Sequence, residues 1–160
     1  LNKSLLLLTK IENDQFDADS CISFNEVLND SLSLYSDIFI YKEISVTMKD
    51  EGEFAVHMNE QLSSVLVNNL IKNAFVHSAA GSEVTVAVGH HGFAVSNSGT
   101  SPLDAEMLFR RFYLPSGRRE GSTGLGLALA HAVCSHSGLD ISYSYSGNMH
   151  TFAVILKKSK

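Results

Sequence analysis

The chain has 160 residues, of which 44% are hydrophobic and 18% charged, and its net charge is -5. These figures fit one globular domain with its own core and exclude disordered, collagenous and disulfide-scaffold chains. The 12 lysines and arginines form no long stripe, which argues against a nucleic-acid partner, and the longest aliphatic run, Leu5–Leu8, falls far short of the roughly 20 residues a membrane span needs.

Leu1–Phe16 reads as a helix, with Leu1, Leu5, Leu8 and Ile11 on one stripe that requires a partner helix. Cys21–Phe24 reads as a short strand and Asn25–Tyr41 as a helix. Ile44–Met48 alternates with period two, Asp50–Glu53 is a turn, and Phe54–Met58 is the returning strand. Asn59 is placed to cap a long helix from Glu60 to about His77. Glu83–Gly89 and Gly92–Ser96 form a hairpin around His90 and His91. Residues 98–122 lack periodicity, Thr123–Ser137 is a helix closed by Gly138, and Asp140–Tyr145 with Met149–Leu156 make a last hairpin. Strands and helices interspersed in this way, with hairpins dominating, specify an α+β fold. No basic segment followed by an apolar run marks a signal peptide. Cys21 and Cys134 are too few for a metal cluster and are expected as two reduced, buried thiols.

Glycine and proline are distributed unevenly. The first 51 residues contain neither, five of the 11 glycines lie between Gly99 and Gly126, and both prolines, Pro102 and Pro115, fall in the same window. Residues that permit unusual backbone paths gather where loops carry function.

Three constellations bear on chemistry. Asn69 and Asn73 are four apart and share one helix face, which suits either a solvated surface or an amide oxygen on a hard cation beside phosphates. Ser96-Asn97-Ser98-Gly99 ends a strand, as a plain turn or as an acceptor for an exocyclic amine beside a glycine that admits a flat ring. Gly121-Ser122-Thr123-Gly124-Leu125-Gly126-Leu127 opens a helix whose first N–H groups suit a phosphate. It is neither a Walker loop nor a dinucleotide fingerprint. Histidines 57, 90, 91, 131, 136 and 150 show no ligand spacing.

The order of these motifs resembles the catalytic and ATP-binding domain of sensor histidine kinases, within the GHKL ATPase group, over roughly residues 20–157. Residues 69–74 are similar to its N box, 97–99 to its G1 box, Leu108–Tyr113 to its F box and 121–127 to its G2 box. The resemblance implies a Bergerat-type ATP-binding fold: a two-layer α/β sandwich with a mixed five-stranded sheet and three helices on one face. It implies ATP and Mg2+ as ligands, with Asn73 on the metal, Asn69 near the phosphates and His77 against the nucleotide. Asn97 would read the adenine amino group, Gly99 would pass beneath the ring, and Thr123, Gly124, Leu125 and Gly126 would hold phosphates. Phe109 and Phe112 would anchor a flexible lid. Arg118 and Arg119 are candidates to reach the γ-phosphate, or else two solvated arginines.

The same resemblance makes residues 1–16 the C-terminal end of a dimerisation helix and 17–160 the ATP-binding domain. The phosphoacceptor histidine is expected upstream of Leu1, so no catalytic residue is assigned within the chain, and the fragment is not competent alone. The implied partners are its own dimerisation and histidine phosphotransfer domain, a response regulator and a second copy in a full-length homodimer. The implied location is the cytoplasmic part of a membrane-anchored sensor. Four positions depart from the family pattern: Asn97 replaces an acid, Ser101 a glycine, Val76 a basic residue and Leu114 an arginine. These departures imply weaker ATP binding, by about 1–2 kcal/mol for two lost charged contacts. They also motivate a rival reading as a decayed nucleotide-binding or scaffolding module. Another GHKL member, such as an anti-sigma factor kinase or a topoisomerase ATPase, is the third.

Overall fold

The computed structural model describes residues 3–114 and 124–158. Five strands, β2 (Ser45–Asp50), β4 (Glu83–Gly89), β5 (Gly92–Ser98), β7 (Met149–Leu156) and β6 (Leu139–Ser146), lie side by side in that order. The β2–β4 pair is parallel and the others antiparallel, so the sheet is mixed, as expected. A separate antiparallel ribbon joins β1 (Ser20–Ser23) to β3 (Ala55–Met58).

Strand alternation sets the inner face. Val84, Val86 and Val88 of β4, Phe93 and Val95 of β5, and Phe152 and Val154 of β7 are buried, while their neighbours in sequence are less so. Onto this face pack α4 (Glu60–Val76), α5 (Gly126–His136) and α2 (Phe24–Leu34), through Leu62, Leu66, Leu70, Leu129, Val133, Phe24 and Leu28. Phe24, Phe54 and Phe93 form an aromatic knot at one end, with centroids 5.1–6.4 Å apart. Asn59 caps α4 as its sequence position requires, accepting from Leu62 N at 3.1 Å and donating to Asp17 O at 3.0 Å. Gly138, with φ of 72°, follows α5 in the left-handed conformation.

Three expectations are corrected. Phe54–Met58 is not the return strand of a hairpin with β2. Asn25 on α2 donates to Gly52 O and Asp50 Oδ1 and accepts from Phe54 N, and this pulls the segment off β2 and onto β1. The open edge of β2 runs parallel to β4 instead, so the path from β2 to β4 is a crossover that contains α4. The Asn25–Tyr41 helix breaks at Tyr35, where the ring turns in to pack on Phe75 at 5.2 Å and a short α3 (Ser36–Tyr41) begins. Of the two free thiols, Cys134 is buried but Cys21 is exposed, because it sits on the outer side of the β1–β3 ribbon.

The N-terminal helix α1 (Lys3–Glu12) lies against α5 and buries Leu8 and Ile11. Its end is tied by an ion pair from Glu12 to Arg111 and by His136, which meets Asp14 Oδ1 at 3.1 Å and Phe16 O at 2.9 Å. Between α1, α5 and Phe109 is a cavity of about 490 Å3 lined by Leu8, Ile11, Glu12, Arg111 and His131, among others. Among the described residues, none of the nucleotide-site candidates lines it.

Candidate functional site

α4 brings Asn69 and Asn73 to the sheet's inner side one helical turn apart, both half-buried. Asn69 Nδ2 donates to Val65 O at 2.7 Å, one turn back, and this fixes the amide so that Oδ1 faces the start of α5. A Cβ on Gly126, the first residue of α5, would lie 3.1 Å from that oxygen. The helical asparagines and the glycine-rich helix start, 57 positions apart in sequence, therefore meet. His77 terminates α4 as its C-cap and is exposed.

Gly124 stands with φ of 74°, in the left-handed region that favours glycine. Its carbonyl accepts from Phe112 N at 2.8 Å, and a Cβ there would strike the Phe112 backbone at 2.6 Å. Leu125 next to it is fully buried in the core. Arg118 and Thr123, together with Arg119, Pro115, Gly117 and Gly121, lie outside the described residues.

The expected aromatic anchors divide. Phe109 packs edge-on against Phe152, with centroids 6.2 Å apart, and against His131 at 5.6 Å. The Phe112 ring is 57% exposed, so the backbone of that residue makes the attachment. Leu108, 3% exposed, is the second apolar anchor.

Asn97 ends the inner row of β5 and is only 2% exposed. Its described side-chain bond is a 3.3 Å donation to Ser98 O, a weak return for so buried an amide. A buried acceptor with little local employment suits a ligand amine. Directly across the sheet is His150 of β7, and beyond it Tyr145 of β6. The His150 ring fills the space where a Cβ on Gly99 would lie, its Nε2 within 2.0 Å of that position. Sequence spacing gave no reason to single out His150; its register opposite Asn97 is what places it at the site.

Packing leaves no room for a Cβ at Gly99, against His150, or at Gly124, against Phe112, and a Cβ at Gly126 would be tight against Asn69 Oδ1. These contacts join α4 to the start of α5 through Asn69 and Gly126, and the aromatic motif to the same start through Phe112 and Gly124. Asparagine amides and helix-start N–H groups are a donor and acceptor set that fits an adenine and a chain of phosphates. A hard-oxygen donor such as the Asn73 amide fits Mg2+.

Residues 58–160 match the model of the histidine kinase-, DNA gyrase B- and HSP90-like ATPases. The chain belongs to that family. It is 29% identical over 166 residues to the heme sensor protein HssS of Staphylococcus saprophyticus, covering 99% of this chain and 36% of that protein. It is 30% identical over 140 residues to the sensor histidine kinase RppB of Synechocystis, covering 81% of this chain and 31% of that protein. In fold it is similar to the cytoplasmic segment of histidine kinase QseC, with a TM-score of 0.75 at 17% identity over 98% of this chain and 93% of that one. This ATPase-family chain thus spans about a third of the length of the curated relatives it matches. Among the described residues, no helix is long and apolar enough to cross a membrane.

Proposed function

We propose that the chain is the ATP-binding catalytic domain of a two-component sensor histidine kinase. The observation that carries this reading is the meeting of Asn69 with Gly126; the buried amide of Asn97 at the end of β5 supports it separately. The Asn97 amide oxygen accepts from the adenine amine, Asn73 supplies an oxygen to Mg2+, and Asn69 and the start of α5 flank the phosphates. His77, at the end of α4, closes the nucleotide side, and residues 115–123 carry the remaining candidates, Arg118 and Thr123.

The domain's work is positioning and charge neutralisation. It holds the γ-phosphate in line for attack by a histidine nitrogen, so that the bond to the β-phosphate breaks, a P–N bond forms and ADP leaves. The accepting histidine belongs to a dimerisation domain, whose last turns α1 supplies. Packing of α1 on α5 through Leu8 and Ile11 gives such a helix a mechanical route to the nucleotide cleft. A homodimer, a response regulator and a place in the cytoplasmic part of a membrane sensor complete the reading.

The test has two parts. Titration calorimetry of the chain with Mg-ATP should give saturable binding that Asn73→Ala weakens at least tenfold, with chelation of magnesium having the same effect. Incubation of the full-length protein with γ-labelled ATP should give an acid-labile, alkali-stable phosphoprotein. Binding without that product selects the decayed module, which Asn97, Ser101, Val76 and Leu114 motivate. Absence of binding overturns the nucleotide reading.

A further inference from the structure

The turn end of the sheet carries a hydrogen-bonded group that the nucleotide reading does not use. Three contacts hold Gly99 against the β6–β7 hairpin. Its N–H donates to Asn148 O at 2.9 Å, its carbonyl accepts from Tyr145 Oη at 2.9 Å, and the His150 ring occupies its Cβ position. His150 is 8% exposed and lies between two tyrosine rings, with centroids 5.8 Å from Tyr143 and 5.0 Å from Tyr145.

Tyr143 links His150 to the connection that follows β5. Leu103 N–H donates to Tyr143 Oη at 2.8 Å and occupies one of its two lone pairs. In the neutral arrangement with the tyrosine as donor, its proton points to His150 Nδ1, 2.7 Å away. Nδ1 accepts, and the proton of the neutral ring resides on Nε2, the atom nearest Gly99. A chain of two bonds thus runs from Leu103, where the 99–114 connection leaves the sheet, to the residue beneath the strand end that carries Asn97.

We propose that His150 is a positioning residue of the nucleotide site: its neutral imidazole is the floor on which Asn97–Gly99 rests, and Tyr143 locks that floor to the connection at Leu103. The inference rests on the nucleotide reading above. Protonation would make both ring nitrogens donors, turn Nδ1 against the Tyr143 proton and place a cation among apolar and neutral groups. The titratable groups facing the ring are Tyr143 and Tyr145 of β6. Among the described residues, Asn97 of β5 stands opposite it, Gly99 just beyond β5 lies against the ring, and Phe152 follows on the same face of its own strand. Burial alone holds its pKa below that of a free histidine, with no charged group contributing. A base bound at Asn97 covers the ring further and favours the neutral form more strongly.

Nitrogen-15 spectra of the His150 ring in the wild-type chain provide one test. The expected result is the Nε2–H tautomer and a titration midpoint that ADP moves to lower pH. A shift of about one unit corresponds to ADP affinity about tenfold weaker at pH well below the midpoint than above it. His150→Phe keeps an aromatic ring, somewhat larger, but lacks both nitrogens. Affinities measured for it between about pH 5.5 and pH 8 carry only the titration of the ADP phosphates, so the excess pH dependence of the wild type over this variant belongs to His150. Tyr143→Phe, which removes the tie and leaves the histidine, should lose at least half of the excess on a logarithmic scale. An Nδ1–H tautomer, a midpoint that ADP leaves in place, or equal pH slopes for wild type and His150→Phe overturns the role of His150 while nucleotide binding stands. A wild-type chain that binds no ADP at any pH overturns the nucleotide reading and this role with it.

Discussion

Phe112 and Gly124 are joined through their backbones. The Phe112 N–H donates to Gly124 O at 2.8 Å, and both residues have positive φ, 62° and 74°. The join sets the end of the aromatic motif against the residue that precedes Leu125 and α5. Gly124→Ala puts a methyl group 2.6 Å from the Phe112 backbone and adds about 1–2 kcal/mol of left-handed strain. The Phe112–Gly124 join should open while the core holds, lowering the melting temperature by about 2–8 °C. Mg-ATP affinity should fall at least tenfold. Calorimetry and a thermal melt on the same sample check both, and wild-type affinity in the variant would detach this join from the nucleotide site.

The cap of α4 offers the opposite dissociation. Asn59→Ala removes the acceptance from Leu62 N and the donation to Asp17 O. About 1–2 kcal/mol of stability should be lost, or roughly 2–8 °C in melting temperature. Asn59 stands about 15 Å along the helix from Asn69, at a rise of about 1.5 Å per residue. Nucleotide affinity measured below the melting range should therefore stay within a factor of two.

Local chemistry in the sequence foretold most of these elements. The Asn59 cap, the valine alternation of β4, the turn at His90 and His91 and the glycine after α5 act within a few residues, and each appears where the pattern puts it. What was hidden depended on distant partners. Asn25 diverts the Gly52–Phe54 segment from β2 through bonds spanning 25–29 positions, and a turn followed by an alternating strand carries no sign of that. Of the candidate site, Asn69, Asn97 and Gly126 were singled out in the sequence because their motifs stand in a familiar order. His150 was not, since its placement follows from the β5–β7 register, which no spacing within either strand records.

The cysteines should separate chemically. Burial pushes the Cys134 thiol up to about 12, with the Asp140 carboxylate adding to the shift, whereas Cys21 is exposed. In the native chain at about pH 8 a disulfide-exchange reagent should modify one thiol per chain, and the second only on unfolding. The folded-state pKa lies above the unfolded value of 9.0, so the contribution of Cys134 to stability is fully present below pH 9.0 and is lost as pH rises toward about 12. Cys134→Ala should flatten that alkaline loss in urea titrations, and an unchanged alkaline slope would contradict the assignment.

Asn97 sets function against stability. Its amide is 2% exposed, yet its described bond is a single long donation to the neighbouring carbonyl. Asn97→Leu has the same branched outline and brings apolar atoms next to Val95 and Val84 on the inner face. The melting temperature should hold or rise by up to about 4 °C. On the proposed reading the variant lacks the acceptor for the adenine amine, so Mg-ATP affinity should drop at least tenfold, with a smaller loss for a nucleotide that lacks the amine. A variant that is both less stable and undiminished in affinity would make Asn97 a structural residue and move the base-reading role elsewhere on β5.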